Sequence, residues 1–102
     1  MPILNSQINS KDKDFLKNKE WMQSLIQDFR SKVETAKKGG GADATEKHKS
    51  RGKLTARERV EALIDAGSSF LEFSSLAAND LYDGAAPSAG IITGMGIVHG
   101  QE

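Results

Sequence analysis

Residues 51–72 read RGKLTARERVEALIDAGSSFLE, and the fold turns on how this stretch divides. Its centre is a helix start. Thr55-Ala56-Arg57-Glu58 has the spacing of a capping box, in which the Thr55 hydroxyl accepts the Glu58 amide and the Glu58 carboxylate reaches back to the Thr55 amide. Val60, Leu63 and Ile64 follow as an apolar stripe at helical spacing, and Ala66-Gly67 supplies the exit. Phe70, Leu71 and Phe73 around Glu72 then read as a short strand. Just upstream lies a concentration of charge. Residues 48–60, HKSRGKLTARERV, hold five positive side chains in a chain whose formal net charge is zero.

Working toward the N-terminus, Trp21, Met22, Leu25, Ile26, Phe29, Val33 and Ala36 recur at three- and four-residue steps between about Asn18 and Lys38. That pattern predicts an amphipathic helix whose stripe packs against another element. Lys37 and Lys38 suit the negative helix end, and Gly39 can take the left-handed conformation that stops it. A short helical turn is expected over Asp43–Ser50. Residues 1–17 read as a flexible N-terminal segment, 18–66 as a helical lead-in with the basic turn, and 67–102 as the first strands of a further domain.

Toward the C-terminus, NDLYDGAAPSAG is a turn-rich loop, punctuated by Asp83-Gly84 and Pro87. GIITGMGIVHGQE carries the strongest strand signal, with His99-Gly100-Gln101 as a hairpin turn. A terminal strand this apolar is an aggregation-prone edge unless something pairs with it, so the chain reads as the front end of a longer protein.

Fourteen Lys and Arg balance fourteen Asp and Glu, so no global field draws nucleic acid or an anionic membrane. There is no cysteine, which removes disulfides and thiolate metal sites. The apolar runs fall far short of the ~20 residues of a spanning helix, and no signal pattern opens the chain. A cytoplasmic protein is the expectation. His48 and His99 have no paired ligand spacing, so no metal site is assigned. Gly94, Gly96 and Gly100 miss the dinucleotide-loop spacing and read instead as glycines of a twisted strand or bulge. No Gly-x-Ser-x-Gly elbow is present, and no catalytic residue is assigned.

The basic stretch has two readings. One is a solvated loop at a helix start. The other is an anion site, in which Gly52 lets a ligand approach the backbone, Arg51 forks onto a phosphate, Lys53 acts as a point charge, and free amides at the helix start help.

At these residues the chain resembles a known family. GGG at 39–41 and then HKSRGKLTARERVEALIDAGSSFLEFSSLAANDLYDGAAPSAGIITGMGIVHGQE resemble the start of the biotin-dependent acyl-CoA carboxylase beta subunits, the carboxyltransferase chains. LAANDLYDGAAPSAGIITGMG is most similar to the methylcrotonoyl-CoA branch, and MPILNSQINS resembles its bacterial members. The propionyl-CoA and geranyl-CoA branches share much of this pattern. The resemblance implies an α/β class, the N-terminal portion of a crotonase-like carboxyltransferase domain of stacked parallel sheet and helices. It implies transfer of a carboxyl group from carboxybiotin, carried by a partner alpha subunit, to an acyl-CoA, with beta subunits self-associating. The amides that would hold the developing oxyanions are implied to lie beyond Glu102. On the same footing, Arg51, Lys53 and Arg57 become candidate contacts to CoA phosphates, with Arg57 alternatively stabilising its helix or a subunit interface. Ala77, Ala78 and Tyr82 either sit beside the acyl pocket or pack their loop. Two competing readings are a non-enzymatic interaction module, docking through the Trp21–Val33 face, and an independent anion-binding domain.

Overall fold

The computed structural model describes residues 1–102, which divide into two compact units, Met1–Ser31 and Lys32–Glu102. A first helix, α1 (Lys13–Lys37), runs through the division. It begins five residues before Asn18, about where the apolar stripe had placed its start. Polar composition hid a local start signal. The Asn9 side chain accepts the Lys11 amide at 3.0 Å, its carbonyl accepts the Asp12 amide at 3.1 Å, and Asp14 complements the positive helix end.

Within the first unit the stripe is unpartnered. Trp21 is 66% exposed and Phe29 53%, and Met22, Leu25 and Ile26 are exposed beside them. The packing expected for this face is not made by these residues. In the second unit α1 ends as its glycines dictate. Gly39 takes φ +63°, its amide donates to the Ala36 carbonyl at 3.1 Å, and Lys37 pairs with Glu34 at 3.1 Å.

The second unit continues with α2 (Ala42–Ser50) and α3 (Ala56–Leu63). The expected turn over Asp43–Ser50 is thus two full turns of helix. Between them Gly52 stands at φ +73° with open space around it, a conformation that a side chain would strain. The capping box forms as its spacing predicts: the Glu58 amide donates to Thr55 Oγ1 at 3.3 Å and the Thr55 amide to Glu58 Oε2 at 2.8 Å. A cap of this kind contributes about 1 kcal/mol.

α3 closes earlier than Ala66-Gly67, because Ile64 turns extended and the Asp65 amide is taken by the Ile97 carbonyl at 2.7 Å. The Asp65 carboxylate completes this clamp, accepting the amides of His99 at 2.7 Å and Gly100 at 2.9 Å. His99 and Gly100 both have positive φ, and Val98 and Gln101 pair across them, so the hairpin turn lies where it was expected.

The strands are β1 (Leu71–Phe73) and β2 (Thr93–Met95), paired antiparallel with Leu71 opposite Met95, Glu72 opposite Gly94 and Phe73 opposite Thr93. The parallel pairing implied for the whole fold has no instance in residues 1–102. One ribbon face carries Phe70, Glu72, Gly94 and Gly96. The glycines there are spaces: a Cβ built on Gly94 would stand 2.4 Å from both the Leu71 carbonyl oxygen and Phe70 Cζ, and one on Gly96 2.8 Å from Ile64 Cγ2. The Phe70 ring and Ile64 lie where those methyls would be. The other face is bare, with Leu71 at 61%, Met95 at 50% and Phe73 at 45% exposure.

Ala36 is the only buried hydrophobic residue, and eighteen large hydrophobic residues are exposed. These residues form secondary structure without enclosing a core. No helix is long and apolar enough to cross a membrane.

Candidate functional site

The five cations of residues 48–60 separate by what they touch. Lys49 donates to Glu58, which also receives the Thr55 amide; these contacts, the Lys49 one foremost, hold the Glu58 carboxyl below the usual range. Arg57, in the first turn of α3, reaches β1 and forks onto Glu72, with Nη1 at 2.8 Å and Nη2 at 2.9 Å from the two carboxylate oxygens. The pair is largely covered, with side chains 26% and 16% exposed. The hydrogen bonds from Arg57 hold the Glu72 carboxyl below its ordinary value, and those same bonds raise the guanidinium. Arg51, Lys53 and Arg59 carry no carboxylate partner and are exposed.

This sorting sets Arg57 apart from Arg51 and Lys53. Both terminal nitrogens of Arg57 are committed to Glu72, so it joins α3 to β1. The α3 amides are likewise less available than a bare helix start, since Glu58 already supplies an anion there. What remains free is the Arg51-Gly52-Lys53 turn and, on α3, Arg59. His48 Nε2 lies 2.8 Å from the Leu54 carbonyl oxygen and ties the two sides of this turn together.

Two cavities lie in the second unit. The larger, about 700 Å³, is lined by Lys38, His48, Lys49 and Arg57 together with Pro87 and Ile91. The smaller, about 130 Å³, is lined by Ala77 and Ala78 together with Ser75, Pro87 and Ser88. Tyr82 is 78% exposed and lines neither. The structure therefore brings Ala77 and Ala78 to one pocket and leaves Tyr82 outside it.

Glu72 and Asp65 were missed as partners, although each carried a signal. Glu72 is a lone charge between Leu71 and Phe73, and a charge in that position needs a counter-ion. Asp65 directly follows a helix end, where a carboxylate can collect amides from a later turn. No group of three or more His, Cys, Asp or Glu side chains is placed to hold a metal ion.

Comparison with known proteins adds a second line. Residues 47–102 match the family model described as carboxyl transferase domain. The chain is 41% identical over 99 residues to the mitochondrial methylcrotonoyl-CoA carboxylase beta chain of Arabidopsis thaliana, covering 97% of this chain and 17% of that protein. It is 45% identical over 101 residues to a probable methylcrotonoyl-CoA carboxylase beta chain of Drosophila melanogaster, covering 98% and 18%. Among solved structures it is similar to the beta subunit of geranyl-CoA carboxylase from P. aeruginosa, with a TM-score of 0.78 and 35% identity over 97% of this chain and 18% of that one. The chain thus spans under a fifth of the length of the relatives it matches.

Proposed function

The chain belongs to the carboxyl transferase domain family, and from that premise we propose that it forms the N-terminal part of the carboxyltransferase subunit of a biotin-dependent acyl-CoA carboxylase. The reaction moves a carboxyl group from carboxybiotin, delivered as a substrate by a biotin-carrying partner subunit, to an acyl-CoA. The acceptor is 3-methylcrotonyl-CoA. Propionyl-CoA and geranyl-CoA are the alternative acceptors within the same chemistry. The observation that carries the reading is the match over residues 47–102, which contains the basic turn, α3 and both strands.

Within that reading, Arg51 and Lys53 contact the CoA phosphates, and Ala77 and Ala78 lie beside the acyl group. Support for the first comes from the contrast inside the basic stretch: Lys49 and Arg57 are paired with carboxylates, whereas Arg51 and Lys53 are exposed around a glycine. Each such contact made by an exposed side chain contributes about 0.2–1 kcal/mol, so that losing both reaches roughly tenfold in affinity.

The test uses the intact carboxyltransferase with its biotin-carrying partner. Arg51→Ala combined with Lys53→Ala is expected to raise KM for the acyl-CoA roughly tenfold with little change in kcat, since a remote phosphate contact is made equally in ground and transition states. An unchanged KM removes the phosphate role. Comparing kcat/KM for 3-methylcrotonyl-, propionyl- and geranyl-CoA assigns the acceptor, and a preference for either of the latter two overturns the methylcrotonyl assignment.

A further inference from the structure

In the two-stranded ribbon β2 has a neighbour on one edge only. Which of its backbone groups face the open edge follows from what lies beyond Met95. Successive residues of an extended strand turn their amide and carbonyl to opposite edges. The Ile97 carbonyl is taken by the Asp65 amide at 2.7 Å. Val98 turns the other way, to Gln101: its amide donates to the Gln101 carbonyl at 2.8 Å, and its carbonyl accepts the Gln101 amide at 3.1 Å. No residue from Thr93 to Val98 stands at positive φ, so the alternation runs unbroken. Gly94 and Gly96 therefore face the way Val98 does, and Thr93 and Met95 face β1.

Unpaired amides and carbonyls at a sheet edge are a template for a further strand. The hairpin says which strand. Val98 and Gln101 are the first pair outside a two-residue turn, so the chain leaves Glu102 running back along the open edge. One residue holds that turn in place. The Asp65 carboxylate accepts the amides of His99 at 2.7 Å and Gly100 at 2.9 Å, while its own amide holds Ile97.

We propose that the residues directly after Glu102 add to the open edge of β2 as a third, antiparallel strand, and that Asp65 sets its register. Each step past Gln101 pairs with one step back from Val98. Glu102 then lies opposite Ile97, the second residue after Glu102 opposite Met95, and the fourth opposite Thr93. The second and fourth residues continue the bare face of Leu71, Phe73 and Met95, and the third joins the face of Phe70. A slip of one residue would exchange these faces, which is why the turn needs a fixed position. This requires only that the chain runs on, as its relatives do, and is independent of the acyl-CoA reading.

Disulfide trapping in the intact protein tests it. None of the 102 residues is a cysteine, so none of them competes. Thr93→Cys is combined with a cysteine at the fourth residue after Glu102 or, as the control, at the third, whose side chain takes the opposite face. Residues facing each other in a non-hydrogen-bonded pair stand about 4.5 Å apart at Cα, within disulfide reach. Oxidation is expected to link the fourth-residue pair within one chain about tenfold more efficiently than the control. Equal linking, or linking of the control alone, overturns the register. A bond between two chains means that a second copy fills the edge, and overturns the third strand. Asp65→Ala should reduce the preference to about twofold, and Asp65→Asn, which keeps one acceptor oxygen, should retain part of it. A preference undiminished in both overturns the role of Asp65. Hydrogen exchange on the unsubstituted protein decides the strand even where the variants do not fold. The Gly94 and Gly96 amides should exchange as slowly as those of Thr93 and Met95, and free exchange at both glycines overturns it.

Discussion

Gly94→Ala is expected to destabilise the intact protein by about 3 kcal/mol, the upper end for an overpacked site. The argument is steric. The added methyl would sit 2.4 Å from a main-chain oxygen and 2.4 Å from an aromatic carbon, and the oxygen belongs to Leu71, whose position is set by pairing with Met95. The same Phe70 ring also lies over Gly96, where a Cβ would meet its Cδ2 at 3.3 Å and Ile64 Cγ2 at 2.8 Å. Gly52→Ala is the control. Gly52 has positive φ but open space around it, so its cost is backbone strain alone, about 1–2 kcal/mol. Denaturant unfolding of both variants separates the two mechanisms. Equal losses would mean that the ribbon accommodates a side chain at residue 94 by shifting.

The second large effect is expected at the Arg57–Glu72 pair. Arg57→Ala leaves a largely covered carboxylate without its fork and should cost about 2 kcal/mol, within the range for hydrogen bonds to a charged group. Arg57→Lys should recover less than half of this, since an ammonium cannot meet both oxygens. The pH dependence follows from Glu72. Its folded-state pKa lies below the unfolded value, so the pair's contribution is complete above the ordinary glutamate pKa and is lost as pH falls through the depressed folded value. Unsubstituted protein should therefore lose stability below about pH 4.5 more steeply than Glu72→Gln, which has nothing left to titrate there. Arg57 titrates far above this range and contributes no slope. If Arg57 also bound phosphate, Arg57→Ala would raise KM as strongly as the Arg51 and Lys53 changes; an unchanged KM with lowered stability is the outcome expected of a residue that joins α3 to β1.

Where reading the residues succeeded, the determinants were local. The Thr55–Glu58 box, the Gly39 stop and the His99-Gly100 turn each depend on side chains within four residues of the feature they specify, so spacing alone locates them. What the residues concealed was set at long range. Glu72 is fifteen residues from Arg57 and Asp65 is thirty-four from His99. The Asn9 turn ahead of Lys13 was hidden by polar composition. The positive φ of Ser74, Ala78, Tyr82, Ser88 and Ala89 was not legible at all, because alanine, serine and tyrosine give no warning of it. At the candidate site, the type of chemistry was legible in the basic stretch, but the division of its cations was not. That division depends on where β1 brings Glu72.

The stripe of α1 and the bare ribbon face make one demand in common. Trp21, Met22, Leu25, Ile26 and Phe29 on the first, and Leu71, Phe73 and Met95 on the second, are all exposed, while burial in the whole chain reaches only Ala36 among hydrophobic residues. Folding stability comes chiefly from removing such surface from water, and here that term is nearly absent. These residues are therefore a scaffold whose apolar faces need further protein to cover them. Differential scanning calorimetry of the isolated chain of 102 residues, read alongside circular dichroism, tests this most directly. The expected result is a helical signal that declines gradually on heating with no resolved heat-absorption peak. A single sharp transition, with an enthalpy near the ~0.7 kcal/mol per residue of an ordinary globular domain, would contradict it.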